Sequence, residues 1–138
     1  MTTKWVLGCS FAAALALPDK SSTLVSAFFL EKEPRELWVP ALWWYELANV
    51  LTVAERRRTL ARTDVERAIS LYGSLSIQTD QTNGVDHVRM LCEITRVYGL
   101  SAYDAAYLEL ALRKRAPLAS LNRELVGAAK RSGVETWR

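Results

Sequence analysis

One histidine and two cysteines in 138 residues withhold several familiar chemistries from this chain. With His87 alone there is no histidine pair for acid and base work on RNA and no multi-histidine metal site, and its place in the sequence reads as a surface helix. Cys9 and Cys92 lie far apart and belong to no CxxC or Cys/His spacing. That argues against zinc and against a disulfide framework, and makes a reducing, cytoplasmic setting the expectation. No apolar run approaches the roughly 18 residues of a membrane span. The six glycines form no phosphate-binding motif, and no serine stands in a nucleophile elbow, which counts against an unrelated small α/β enzyme.

What the chain has is apolar substance, with half of its residues hydrophobic, enough for one domain of ordinary size over residues 1–138. The formal charge of +3 permits a polyanionic partner without requiring one. Lys4 followed by Trp5-Val6-Leu7 and Phe11 to Leu17 has the outline of an export signal, but three apolar residues before Cys9 are too few for its core. The segment reads instead as the first strand of the domain.

Along the chain, strands and helices alternate. Trp5 to Cys9 reads as a buried strand, and Ser10 caps a helix through Leu17 that Pro18-Asp19 ends. A helix follows from Ser22 to about Lys32, then a strand at Leu37-Trp38-Val39 closed by Pro40, then a largely apolar helix from Leu42 to about Arg57. Thr63-Asp64-Val65-Glu66 reads as a capping box opening a helix toward Leu75, with a strand at Ser76 to Thr79. The spacing of Val88, Leu91, Cys92 and Thr95 predicts a helix over 85–98 that Gly99 stops. Then come a helix after Ser101, a strand at Pro117 to Leu121, a helix from the N-cap Asn122 through Arg131, and a last short strand at Val134-Glu135-Thr136. This order predicts an α/β fold, an α/β/α sandwich with a central parallel sheet. In such sheets ligands bind beyond the carboxyl ends of the strands, where the strand order reverses, which points to Gly8-Cys9-Ser10 and Ser120-Leu121-Asn122.

Two carboxylates stand out on helices that should be buried. From Ala102 to Leu112 only Asp104 and Glu109 are charged, and Glu46 interrupts the apolar first turns after Leu42, with Asn49 three residues on along the same face. A buried carboxylate needs a partner, a proton or a cation. Asp104 has two readings. Ser101-Ala102-Tyr103-Asp104 fits a capping box, in which Asp104 reaches back to the Ser101 amide, and the same side chain is placed to enter a cleft. Trp43 and Trp44 read as core or dimer packing rather than as stacking platforms for bases.

The run from Leu100 to Ala111, Leu-Ser-Ala-Tyr-Asp-Ala-Ala-Tyr-Leu-Glu-Leu-Ala, resembles the PIN-domain family, most closely the VapC-type toxins of bacterial toxin–antitoxin pairs. Val39-Pro40-Ala41-Leu42-Trp43 leading to Glu46-Leu47-Ala48-Asn49, and Ala116-Pro117-Leu118-Ala119-Ser120-Leu121-Asn122-Arg123-Glu124-Leu125, extend the resemblance over nearly the whole chain. It implies a metal-dependent endoribonuclease whose carboxylates hold Mg²⁺ or Mn²⁺, a VapB-type antitoxin as partner, RNA as substrate, and a homodimer. Oxygen ligands suit such hard ions, and the ion can activate water and steady phosphate charge. By position, Glu46 and Asp104 match two of the family's acids.

Two other acid positions are substituted. Gly8 stands where a Leu-Asp-Ala-Ser type sequence is usual, and Asn122 stands where the later acid is expected, offering a neutral carbonyl oxygen. Glu124, two residues on, is a further candidate ligand. Losing two anionic ligands weakens binding of a hard cation, while Asn122 still caps a helix about as well as Asp. Both changes are single-base changes from an Asp codon, which suggests descent from an active toxin disabled in nature or during cloning. Sequencing the source locus separates these origins.

Arg56-Arg57-Arg58 with Arg62, and Lys114-Arg115 with Arg123, Lys130 and Arg131, are the basic clusters. They read either as phosphate contacts or as solvated helix ends. Arg123, Ser10 and Ser120 flank the expected cleft and are the candidate RNA contacts. Two functions follow from the resemblance: a metal-dependent VapC-type endoribonuclease that cleaves RNA phosphodiester bonds, with Gly8 and Asn122 as the positions open to impairing it, or a PIN-fold protein without catalysis that binds an antitoxin, RNA or a second copy of itself.

Overall fold

Four parallel strands carry the framework of this computed structural model, which describes residues 2–17 and 23–137. They are β1 (Thr3–Leu7), β2 (Arg35–Pro40), β3 (Gln78–Asp80) and β4 (Leu118–Ala119), in the spatial order β3-β2-β1-β4. The register pairs Trp5 with Leu37, Val6 with Leu118 and Pro40 with Asp80. Val6, Leu7, Val39, Leu118 and Ala119 are buried, as expected of a parallel sheet covered on both faces.

The helices are α1 (Cys9–Ala13), α2 (Thr23–Leu30), α3 (Leu42–Arg56), α4 (Arg62–Gly73), α5 (Val85–Tyr98), α6 (Ala102–Lys114) and α7 (Arg123–Arg131). They flank the sheet in the expected α/β/α arrangement. The helix α6 crosses β1, β2 and β4, with α5 and α7 beside it, while α3 packs on β2, α1 and α4. Every residue of α6 from Ala105 to Ala111 is buried, which accounts for its apolar circumference. Trp43, Phe11 and Phe28 are the largest fully buried side chains. Trp43 therefore belongs to the core and not to an interface. Among the described residues, no helix is long and apolar enough to cross a membrane.

Several local expectations shift by a turn or less. The first strand stops at Leu7, because the Gly8 amide donates to Ala119 O at 2.7 Å while Gly8 O receives Ala12 N at 3.1 Å and starts α1. Ser10 is consequently inside the first turn of α1 and does not cap it. Bonds from Leu15 N to Ala12 O and from Ala16 N to Ala13 O tighten the chain after Ala13, so the α-helix ends before Leu17. The stop at Pro18-Asp19 and the start at Ser22 lie outside the described residues. Ala61, not Thr63, is the N-cap of α4, and Asp64 accepts its amide at 2.9 Å. The strand expected at 134–136 reduces to one parallel bridge, Leu118 with Thr136. His87 is less exposed than expected: only 18% of its side chain is accessible, and Nδ1 lies 3.8 Å from Oε1 of Glu109.

Candidate functional site

β1 has β2 on one side and β4 on the other, so the direction in which the sheet is built reverses between β1 and β4. The carboxyl ends of these two strands open on a small cleft of about 70 Å³. Gly8 and Ser10 enter it after β1, Ser120 and Asn122 after β4, Glu46 from the second turn of α3, and Asp104 from the first turn of α6. Six positions singled out in the sequence thus converge, although residues 8 and 122 stand at opposite ends of the chain. Asn49 points elsewhere and borders a hollow with Leu17, Val53 and Arg57. Arg123 and Glu124 lie on the exposed first turn of α7 and do not line the cleft.

Local sequence explains how the side chains are aimed. Ser101 caps α6, its Oγ accepting the Asp104 amide at 3.1 Å. The Asp104 carboxylate is turned to Asn122, whose Nδ2 lies 3.3 Å from Oδ1 and 3.4 Å from Oδ2. Of the two readings of Asp104, the cleft is where its side chain points. Asn122 in turn caps α7 by accepting the Leu125 amide on its carbonyl oxygen at 3.1 Å. The oxygen expected to face a cation is therefore engaged by the helix, and the amide hydrogens face the cleft.

Ser120 is buried, and its Oγ accepts the Asn122 amide at 3.0 Å. Ser10 Oγ accepts the Leu121 amide at 3.3 Å. Both hydroxyls brace the two loops that carry the site. Across the cleft, Tyr107 donates its phenol proton to Oε1 of Glu46. Burial raises the Glu46 carboxyl above its usual range, the Tyr107 bond acts in the opposite direction, and the negative charge of Asp104 raises it further. Burial, then the charge of Glu46, pushes the Cys9 thiol up to about 12, so it is a neutral group at physiological pH and not a nucleophile.

Tyr107 was not legible as a site residue, though its spacing of three from Asp104 puts both on one helix face. A second polar cluster was also missed. Glu109, 5% exposed, receives Nε and Nη2 of Arg113 at 2.8 and 3.0 Å. The same guanidinium holds both oxygens of Asp80 at 3.0 and 2.8 Å, tying the end of β3 to α6. The i, i+4 spacing of Glu109 and Arg113 was the available signal. Two members of the second basic cluster are likewise engaged: Lys114 Nζ lies 3.7 Å from the Trp38 ring centroid, and Arg131 donates to Tyr98 O at 3.2 Å.

The cleft does not fit a tightly held Mg²⁺ or Mn²⁺. Such ions take about six oxygen ligands, of which anionic carboxylates supply much of the affinity. Among the described residues Glu46 and Asp104 are the carboxylates lining the cleft, Gly8 contributes no side chain, and the Asn122 oxygen is engaged by Leu125. Among the described residues no group of three or more His, Cys, Asp or Glu is placed to hold a metal ion. Gly8 also cannot gain a side chain freely, because a Cβ there would stand 3.0 Å from Ala119 O and 3.2 Å from the Ser120 Cβ.

Comparison with known proteins identifies a family and a shared fold. The PIN domain family model matches residues 10–131. No curated protein sequence matches the chain. Among solved structures, the fold resembles the toxin–antitoxin complex from Klebsiella pneumoniae, at 20% identity and TM-score 0.62 over 96% of this chain and 97% of that one. It also resembles Mycobacterium tuberculosis VapC20, a sarcin-ricin loop cleaving toxin, at 15% identity and TM-score 0.65 over 90% of this chain and 94% of that one. VapBC2 from Rickettsia felis, bound to a promoter DNA fragment, aligns at 13% identity with TM-score 0.66 over 97% of each chain.

Proposed function

The chain belongs to the PIN domain family, and on that premise we propose that it is a VapC-like toxin scaffold that binds RNA and an antitoxin while cutting RNA poorly or not at all. One observation carries this reading: Asn122 caps α7 through its oxygen and presents its amide to Asp104, so two of four expected acids are missing and one substitute donates where it would need to accept.

Phosphate contacts belong to the rim and not to the cleft itself, where Glu46 and Asp104 would repel an anion. The positive ends of α6 and α7 meet at that rim, and Arg123 stands on the exposed first turn of α7. Binding of this kind falls with added salt. For the antitoxin, two adjoining hollows of about 460 and 290 Å³ share Thr59 and are lined by apolar groups such as Leu15, Ala68, Leu71, Val50 and Val53, with Arg67 and Arg57 at their edges. An apolar segment carrying acidic residues fits that surface. A homodimer is proposed because apolar side chains such as Tyr45, Tyr103, Val85 and Val88 are left in water by a lone protomer. The two free cysteines fit a reducing cytoplasmic setting.

A second reading keeps some catalysis, because Glu46 and Asp104 still face one cleft. The deciding experiment incubates RNA with the purified chain and with a Gly8→Asp, Asn122→Asp double variant, in Mn²⁺, Mg²⁺ or EDTA, and measures RNA retention and cutting together. We expect the chain to retain RNA in a salt-sensitive way and leave it whole, and the double variant to cut with Mn²⁺. Metal-dependent cutting by the chain itself, abolished in Asp104→Ala, would establish the second reading. Failure to retain RNA at low salt would remove RNA from the proposal.

A further inference from the structure

A pair of carboxylates in a cleft of about 70 Å³ raises the question of what neutralises it. Two acids facing one partly desolvated space repel one another, and the charge of Asp104 does act on Glu46. In a site built around a divalent ion the ion removes that repulsion. Here the cleft offers no ligand set for one, as the donor inventory above shows, yet the folded arrangement is well furnished with hydrogen bonds.

We infer that the side-chain amide of Asn122 takes the place of a cation: it supplies the positive end that holds Asp104, so that this cleft is a closed, metal-independent structural unit and not a weakened metal site. The inference rests on the reading of the chain as a PIN-family scaffold and deepens it. Three observations support it. Nδ2 of Asn122 is nearly equidistant from the two oxygens of Asp104, at 3.3 and 3.4 Å, the placement of one donor shared loosely by both. Its orientation is decided independently, because the carbonyl oxygen must accept the Leu125 amide to cap α7. Tyr107 donates to Glu46, so each acid of the pair has its own uncharged donor.

Gly8 completes the unit. Without a Cβ, the end of β1 closes to a 2.7 Å bond between the Gly8 amide and Ala119 O, and a Cβ would meet that same oxygen at 3.0 Å. The φ and ψ of Gly8 are −71° and 144°, open to any residue, so the requirement for glycine is the close approach and not the backbone conformation. The two substituted acid positions are thereby coupled in space: one brings the strand ends together, and the other supplies the counter-dipole between them.

A charge swap tests this with no reference to RNA. Asn122→Asp keeps the N-cap, since Asp caps as well as Asn, but it puts a third carboxylate in the cleft. Its melting temperature in EDTA should fall by several degrees, and Mn²⁺ should restore part of the loss. Asp104→Asn combined with Asn122→Asp returns one amide and one carboxylate to the pair, with the Ser101 cap of α6 untouched because it uses the Asp104 backbone amide. The swapped protein should recover most of the fall. The chain itself should melt at the same temperature in EDTA and in millimolar Mn²⁺, and should leave the free Mn²⁺ electron paramagnetic resonance signal undiminished at micromolar concentrations. A saturable rise in its melting temperature with Mn²⁺, or loss of that signal, overturns the inference even if the variants fail to fold. So does a swapped protein no more stable than Asn122→Asp alone. Failure to retain RNA bears only on the proposed function and leaves these readouts unaffected.

Discussion

Tyr107 on α6 donates its phenol proton to Oε1 of Glu46 on α3, bridging two helices that are 61 positions apart at that contact. Both residues line the cleft, Tyr107 buried and Glu46 partly so. Burial and the neighbouring Glu46 both raise the phenol's pKa, so it remains a donor throughout the working pH range. Removing it in Tyr107→Phe leaves Glu46 without that donor. We expect a loss of about 1 kcal/mol, typical of one hydrogen bond, together with a further rise of the Glu46 carboxyl. Denaturant unfolding and carbon-13 titration of the Glu46 side chain measure the two effects; an unchanged titration would show that the bond is not made in solution.

Glu46 also makes stability depend on pH. Its carboxyl titrates above the ordinary 4.5 in the folded chain, so the folded state favours the protonated form. Ionised Glu46 therefore costs stability at neutral pH, and the cost disappears as pH falls through the folded value and below 4.5. Glu46→Gln, which keeps an acceptor for Tyr107, should be more stable than the parent at pH 7 and equal to it near pH 4. A Gln variant that is less stable at pH 7 would contradict this account.

Asp80 has the opposite sign. The hydrogen bonds from Arg113 first, opposed by burial, hold its carboxyl below the ordinary 3.8. Its contribution is present above 3.8 and is lost as pH falls through the lowered value. Asp80→Asn breaks a paired, charge-assisted contact and should destabilise by about 1–3 kcal/mol at pH 7, with the difference shrinking toward pH 2. Urea midpoints at the two pH values decide it.

Glycine positions give a contrast within one protein. Gly8→Ala puts a Cβ 3.0 Å from Ala119 O, and we expect a loss of about 1–3 kcal/mol, the usual range for overpacking. Gly73→Ala, at the last residue of α4 with nothing within 4 Å of the new methyl, should be neutral or stabilising by up to about 1 kcal/mol. Equal melting temperatures for the two variants would mean that the strand ends part easily at Gly8.

Much of the fold could be read along the chain because its causes are local. Gly99, at φ 69°, ends α5 where expected, and Asn122 caps α7 as its residue type suggests. The apolar circumference from Ala102 to Leu112 announced a buried helix, and its middle, Ala105 to Ala111, is buried. The misplaced caps at Ser10 and Thr63 have different causes. Each lies two residues after the true N-cap, but only at α1 is the cap set from far along the chain, by Ala119 O at the end of β1; at α4 it is set within the first turn, where Asp64 accepts the Ala61 amide.

The candidate site divides in the same way. Glu46, Asp104, Gly8 and Asn122 were legible because a carboxylate in an apolar helix, and a missing acid in a known pattern, are visible one residue at a time. The sequence by itself determined the element order, the α/β class, the membership that the PIN pattern expresses, and the fact that two acids are absent. Only the tertiary structure decided which end of the Asn122 amide meets Asp104, that Tyr107 serves Glu46, and that Gly8 is pressed against Ala119. Those are distances of about 3 Å between groups far apart in the chain. Such distances are set by how helices and strands pack, and no local preference encodes them.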